Sequence, residues 1–453
     1  MILTAKYLLP VSSAHIENGA IRIVDDTIVA IGHVDELRAQ YPDDELKNFG
    51  LAALMPGFVD AYTKLEYTAF RGILNDMPYG PWIAYITEKA RLFEQHDWEI
   101  SSKMGVIEAI SSGITTIADA SSHGASVGPL AQSGLRAIVY QEVGATSHEK
   151  VDEEFEEALA RLDELRKNCS DLMDFGLAAA PLYICHPRML KKLGEYGKDG
   201  ARVAMQLSGS REEYAFIHDG TSSFALDSND PKTRAISSIQ SKELMPTGVS
   251  PVRYADNWGI LDASNLLASY VVHVDDSDIK RLADRGVKVV VCPTATAKLA
   301  MGLAPIVKLR KAGITVALGT DSAAASDGLE MFNEMHFAML AQRARQLTND
   351  ILVAKDMIEM ATIDAARALA IDDKVGSLEV GKQADVIAID LSNSHQIPTH
   401  YPNSAIVNTA DSRNLLMTMV AGKILFDHGK FSSHIELEDT LMQAEQIRMK
   451  LRQ

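Results

Sequence analysis

Short apolar runs alternate along this chain with longer stretches whose apolar positions recur every three or four residues. The first pattern predicts strands and the second amphipathic helices, and their alternation is the mark of βα units. Eight strands follow from it: Leu54–Lys64, Ile114–Ala120, Ala137–Val143, Phe175–Leu182, Val203–Ser208, Tyr270–Val274, Val287–Cys292 and Thr315–Thr320. Eight parallel strands joined by helices close into a (β/α)8 TIM barrel, an α/β fold whose chemistry sits at the C-terminal strand ends. The residues that end each strand are therefore the candidates for function.

The two ends of the chain carry a different pattern. Ala20-Ile21-Arg22-Ile23-Val24 and Thr27-Ile28-Val29-Ala30-Ile31-Gly32 flank Asp25-Asp26, which reads as a β hairpin. Similar runs return at Ala384–Ile389, Leu416–Val420 and Gly422–Phe426. The expected organisation is a small composite β-sandwich from residues 1–54 and 372–430, a barrel over 55–371, and a C-terminal helix over 431–453. The longest polar connection, His218 to Ser250, follows the fifth strand and is rich in Ser, Asp and Thr. It is a candidate lid or substrate loop, with a plain surface excursion as the alternative.

Composition adds limits. The chain has 453 residues, 47% hydrophobic and 23% charged, enough for a large barrel plus an accessory domain and without disordered tracts. A formal net charge of -17 disfavours nucleic acid and anionic membranes as partners. No apolar run approaches the ~20 residues that span a bilayer. The opening MILTAKYLLP lacks the basic n-region of a signal peptide, so a cytoplasmic location is the expectation. Cys169, Cys185 and Cys292 are far apart and show no CxxC spacing, which argues against disulfides and a thiolate zinc site.

Met55-Pro56-Gly57-Phe58-Val59-Asp60-Ala61 resembles the start of the barrel in the amidohydrolase superfamily, in the branch of cytosine, guanine and S-adenosylhomocysteine deaminases and triazine chlorohydrolases. Phe70-Arg71-Gly72, Ser112-Gly113-Ile114-Thr115-Thr116, Gly259-Ile260-Leu261, Cys292-Pro293-Thr294, Leu318-Gly319-Thr320-Asp321 and Gly376–Lys382 continue the likeness in order along nearly the whole chain. The resemblance implies a metal site at the strand ends, and there the sequence departs from the family. Where the family has Asp-Ala-His-Thr-His, this chain has Asp60-Ala61-Tyr62-Thr63-Lys64. The fifth-strand histidine and the proton-shuttling glutamate three residues later are matched by Gln206 and Gly209. Tyr270 matches the sixth-strand histidine, and His273 a second, non-ligand histidine. Ala180 matches a histidine that often touches substrate, and only Asp321, the eighth-strand aspartate, is retained.

A catalytic zinc needs about three ligands from imidazole, thiolate or carboxylate, and Asp321 supplies one. A Lys64–Asp321 ion pair, direct or through one water, is expected to take the place of the lost charge. The catalytic candidates are Lys64, Asp321, Tyr62 and Tyr270, with Lys64 expected to lower a phenol pKa. The substrate-binding candidates are Arg71, Gln206, His273 and Tyr183. No metal ligand and no cofactor is assigned. The expected function is a metal-independent elimination, isomerisation or proton transfer on a small polar or anionic metabolite. Two alternatives stand beside it. One is a metal-dependent hydrolase or deaminase acting on C–N bonds of a nucleobase-like ring, through a site rebuilt from His123, His218 or His273 with Asp321. The other is an inactive pseudoenzyme that binds a ligand or a protein. The expected partner is a small molecule, and the resemblance also implies a homodimer.

Overall fold

The computed structural model describes residues 1–167, 169–222, 224 and 245–452. Eight parallel strands pair in sequence order: β1 (Phe58–Thr63), β2 (Ile114–Ser121), β3 (Arg136–Val143), β4 (Met173–Ala179), β5 (Arg202–Leu207), β6 (Asn265–Tyr270), β7 (Lys288–Val291) and β8 (Val316–Leu318). β1 and β2 are buried along their whole length, as parallel strands covered on both faces must be. The barrel closes where Thr63 bridges Asp321 and the Asp321 amide donates to the Tyr62 carbonyl at 2.9 Å. Gly319 permits that approach, because a Cβ there would lie 2.9 Å from both the Tyr62 nitrogen and oxygen.

Asp60 locks the closure from inside. Its Oδ1 accepts from the Thr320 amide at 3.0 Å and the Tyr62 amide at 3.3 Å, and its Oδ2 accepts from Thr320 Oγ1 at 2.5 Å. The motifs Met55–Ala61 and Leu318–Asp321, far apart in sequence, thus meet through one buried carboxylate.

The chain ends form a nine-stranded sheet. Its order runs Lys430–Phe431, Lys423–Asp427, Leu415–Val420, Val386–Asp390, Ala52–Pro56, Ile2–Leu8, Ile16–Val24 and Thr27–His33, with Leu46–Asn48 beside Ile2–Leu8. One core of Leu3, Ile21, Ile28, Leu54, Val386, Met417 and Met419 draws on both termini. Arg136, opening β3, donates to both Asp385 oxygens at 3.0 Å in a buried bidentate pair that ties this sheet to the barrel. The helix Leu437–Leu451 lies against the helix Gln95–Ser111, pinned by Lys450 Nζ on Asp97 Oδ2 at 2.6 Å.

Two strand expectations need correcting. The run Leu54–Lys64 breaks at Pro56-Gly57: Ala52–Pro56 pairs antiparallel with Val386–Asp390, and only Phe58–Thr63 enters the barrel. The sixth strand is Asn265–Tyr270 and ends where the expected Tyr270–Val274 began, because Tyr270 and Val271 have positive φ of 76° and 51°. Of the long connection His218 to Ser250, the helix Arg211–Asp219 and the segment from residue 245 are described; the expected lid lies largely outside the described residues. Among the described residues no helix is long and apolar enough to cross a membrane.

Burial pushes the Asp60 carboxyl up to about 7 against its bonds from Thr320, Glu213 to about 7, and Glu334 to about 8. In the unfolded chain such groups titrate near ~4. A raised folded pKa means the native state holds the proton longer, so the stabilisation is complete below about pH 4 and is lost as pH rises through about 7 to 8. Thermal melting followed by circular dichroism is therefore expected to show a falling Tm between those limits. Asp60→Asn, which keeps an acceptor for the Thr320 amide, should flatten that slope; an unchanged slope would show that Asp60 does not titrate there.

Candidate active site

The C-terminal ends of the barrel strands carry two paired charges. Lys64, directly after β1, sets its Nζ 2.9 Å from Glu142 Oε2 on β3, with the two side chains 14% and 17% exposed. Burial works against the ammonium, but the Glu142 carboxylate outweighs it and holds the Lys64 pKa well above its ordinary value. Across the rim, the Tyr270 hydroxyl donates to Asp321 Oδ2 at 2.8 Å, and the Ser322 amide donates to Asp321 Oδ1 at 2.6 Å. Burial raises the Asp321 pKa in spite of those two donors. Tyr270 and Asp321 both sit at positive φ, 76° and 61°, where side chains other than glycine are strained.

Between these pairs Gln206, on β5, donates its Nε2 to the Tyr62 hydroxyl at 3.0 Å. The Tyr62 and Tyr270 rings meet edge to face at 5.8 Å. Above this floor opens a cavity of about 600 Å³, within the range that holds a small metabolite. Tyr67, Tyr79, Trp82, Trp98 and Tyr183 form aromatic walls, while Lys64, Glu142, Gln206, Tyr270 and Asp321 form a polar floor. The Tyr79 and Tyr183 hydroxyls share a hydrogen bond of 3.0 Å. Flat aromatic walls over a polar floor suit a planar ring with hydrogen-bonding edges.

The structure brings Lys64, Gln206, Tyr270, Asp321 and Tyr183 to one cavity and leaves three other candidates outside its lining. Tyr62 lies behind Gln206 and Tyr270. Arg71 is ion-paired with Glu108. His273 sets its Nε2 2.8 Å from the Met301 carbonyl and lines a separate open groove with Arg211, Tyr214 and Asp275. The expected direct Lys64–Asp321 ion pair is absent, because Glu142 takes the ammonium and Tyr270 takes the carboxylate. Lys64 does not produce an acidic phenol either: burial dominates, and the Tyr62 and Tyr270 pKa values rise. Sequence reasoning missed Glu142, although Tyr140-Gln141-Glu142 places polar groups at the end of an apolar strand.

The side chains present do not fit a divalent metal of the kind the resemblance implies. The Lys64 ammonium has no lone pair to give, and the Gln206 carbonyl oxygen is a weak ligand for a transition metal. Nor do the histidines rebuild a ligand set. His123 Nδ1 lies on Glu66, His218 Nδ1 on Asp219, and His273 Nε2 on a carbonyl. Among the described residues, no three His, Cys, Asp or Glu side chains come together to hold an ion.

Comparison with known proteins places these features in context. Residues 53–425 match the model of the amidohydrolase family, and residues 19–43 match an imidazolonepropionase-like composite domain of bacteria. The 5-methylthioadenosine/S-adenosylhomocysteine deaminase of Thermodesulfovibrio yellowstonii is 28% identical, over 99% of this chain and 98% of its own. The protein of the same name from Symbiobacterium thermophilum is 30% identical, over 83% of this chain and 81% of its own. An adenosine deaminase from Xanthomonas campestris, solved with bound zinc, superposes with a TM-score of 0.85 at 24% identity and covers 100% of this chain and 98% of its own. At that identity the likeness speaks for the fold. The relatives correct the expectation of a metal-independent elimination, isomerisation or proton-transfer enzyme, and that of an inactive binder. Proteins that match nearly end to end are named as deaminases, which favours the hydrolytic alternative over both.

The pairing at the rim has a direct check. A double-mutant cycle on Lys64→Met and Glu142→Gln, read by chemical denaturation, is expected to give a coupling of roughly 1–3 kcal/mol. The matching cycle on Lys64→Met and Asp321→Asn should give less than half of that. Equal couplings would mean that the ammonium serves both carboxylates alike.

Proposed function

This chain belongs to the amidohydrolase family, and on that premise we propose that it hydrolyses the exocyclic C–N bond of an amino-bearing, nucleobase-like ring. Water adds to the ring carbon, the C–N bond breaks, and ammonia leaves with the proton taken from the water. The observation that carries the reading is the cavity itself, aromatic on its walls and charged on its floor, at the strand ends where a TIM barrel does its chemistry. The deaminase names of relatives that match almost the whole chain support it.

The residues of this chain divide the work by their chemistry. Tyr79, Trp82 and Tyr183 stack against one face of the ring, keep bulk water out, and leave the other face to the attacking water. Asp321, a carboxylate whose pKa burial has raised, is the proton acceptor of the floor. It takes the proton of the attacking water on its Oδ2 and returns it to the leaving amine, and the Tyr270 hydroxyl bond keeps that oxygen in place. Lys64, held as a cation by Glu142, faces the negative charge that builds on the ring nitrogen as water adds. Gln206 has its amide nitrogen committed to Tyr62, so its carbonyl oxygen is the part left to accept from the ring edge.

Adenosine, 5-methylthioadenosine and S-adenosylhomocysteine test this together. The purified protein is expected to release ammonia from at least one of them, with the product absorbing as the hydroxypurine. Asp321→Asn should lower kcat by about 10²- to 10⁴-fold, the range for loss of a general acid–base. A protein that releases no ammonia from any of the three overturns the reading.

A further inference from the structure

Behind the cavity wall, one group is held more firmly than packing requires. Glu66, in the short 3-10 turn Leu65–Phe70 after β1, is 1% exposed and unusually well supplied with donors. Ser121 Oγ donates to it at 2.5 Å, and the amides of Ser122, His123 and Ala125 donate at 2.9–3.1 Å. His123 Nδ1 lies 3.1 Å from Glu66 Oε2. Burial opposes this carboxylate, yet the bonds from His123 and Ser121 outweigh it and hold its pKa below the usual value. An ionised carboxylate only accepts, so the proton between the two rests on Nδ1. The His123 ring also lies flat on Trp98, with centroids 4.2 Å apart and planes at 12°. Its tautomer and its plane are thus both set by neighbours. His123 lines the cavity with its side chain 37% exposed, and among the described residues its Nε2 has no hydrogen-bond partner.

We propose that His123 is a ligand-contacting residue whose Nε2 hydrogen-bonds a hydroxyl group of the substrate, with Glu66 and Trp98 acting as positioning residues behind it. This rests on the reading of a nucleobase-like substrate given above, and it deepens that reading. The ring occupies the polar floor, and a hydroxylated substituent on it reaches the His123 wall. A hydroxyl suits this atom because it donates to a neutral imidazole and accepts from a protonated one.

The test uses purine riboside, which carries no amine to lose, and its 2′-, 3′- and 5′-deoxy analogues, with binding measured by calorimetry. Wild type is expected to lose about tenfold in affinity on removal of one hydroxyl, the size of one hydrogen bond. In His123→Phe, which keeps the stack on Trp98, that step is expected to vanish while the other analogues bind as before. A simple packing role would weaken all four alike and leave the step in place. A wild type that binds all four equally, or a variant that keeps the step, overturns the contact and leaves the proposed function standing. Failure of wild type to bind any of them ends the proposed function, and the contact with it. Nitrogen-15 NMR of His123 gives an independent reading: the proton is expected on Nδ1, and a proton found on Nε2 in the neutral ring overturns the positioning by Glu66.

Discussion

The buried carboxylate of Asp60 is the constraint on which the rest of the molecule depends. A parallel barrel has no edges only if its first and last strands meet, and β8 here is just Val316–Leu318. So short a strand offers few ladder bonds. Closure falls instead to Asp60, which binds the Thr320 amide and hydroxyl, and to the Tyr62–Asp321 backbone bond made possible by Gly319. The same closure sets the backbone of Thr63, which precedes Lys64, against that of Asp321. The barrel seam and the site are one piece of construction.

Once closed, the rim must handle buried charge, and desolvation decides how. An ammonium or carboxylate taken out of water without a partner costs several kcal/mol. Lys64 meets this by pairing with Glu142, and Asp321 by taking a phenol hydroxyl and an amide. The outcome is a floor with separate cationic and anionic ends under apolar aromatic walls. Kept apart, each remains free to face a different part of a bound ring.

Much of this was legible in the sequence. The apolar runs located the barrel, and the ordered motifs from Met55 to Lys382 pointed to the family. The boundaries that slipped have local causes. Val271 and Val272 extend the apolar run of β6 past the point where positive φ at Tyr270 ends the strand, and periodicity cannot register that turn. The partner of Lys64 was not legible, because Glu142 is 78 positions away and meets it only after β1 and β3 are placed in the barrel. Arg71 reads from the sequence as a substrate-binding residue, whereas the fold pairs its guanidinium with Glu108. Glu66 carried no motif at all; only the fold reveals that five donors converge on it. The inferred function slipped for a different reason. Substituted ligand positions describe a site's electrostatics, and they leave the reaction class to be read from whole-chain relatives.

The central claim is that this pocket adds water to a ring carbon and expels an amine. Turnover in heavy-oxygen water, with the product weighed by mass spectrometry, tests it most directly. The account predicts that an aminopurine nucleoside is converted to the hydroxypurine with one oxygen from the labelled solvent. Unchanged nucleoside, or a product without solvent oxygen, would contradict it.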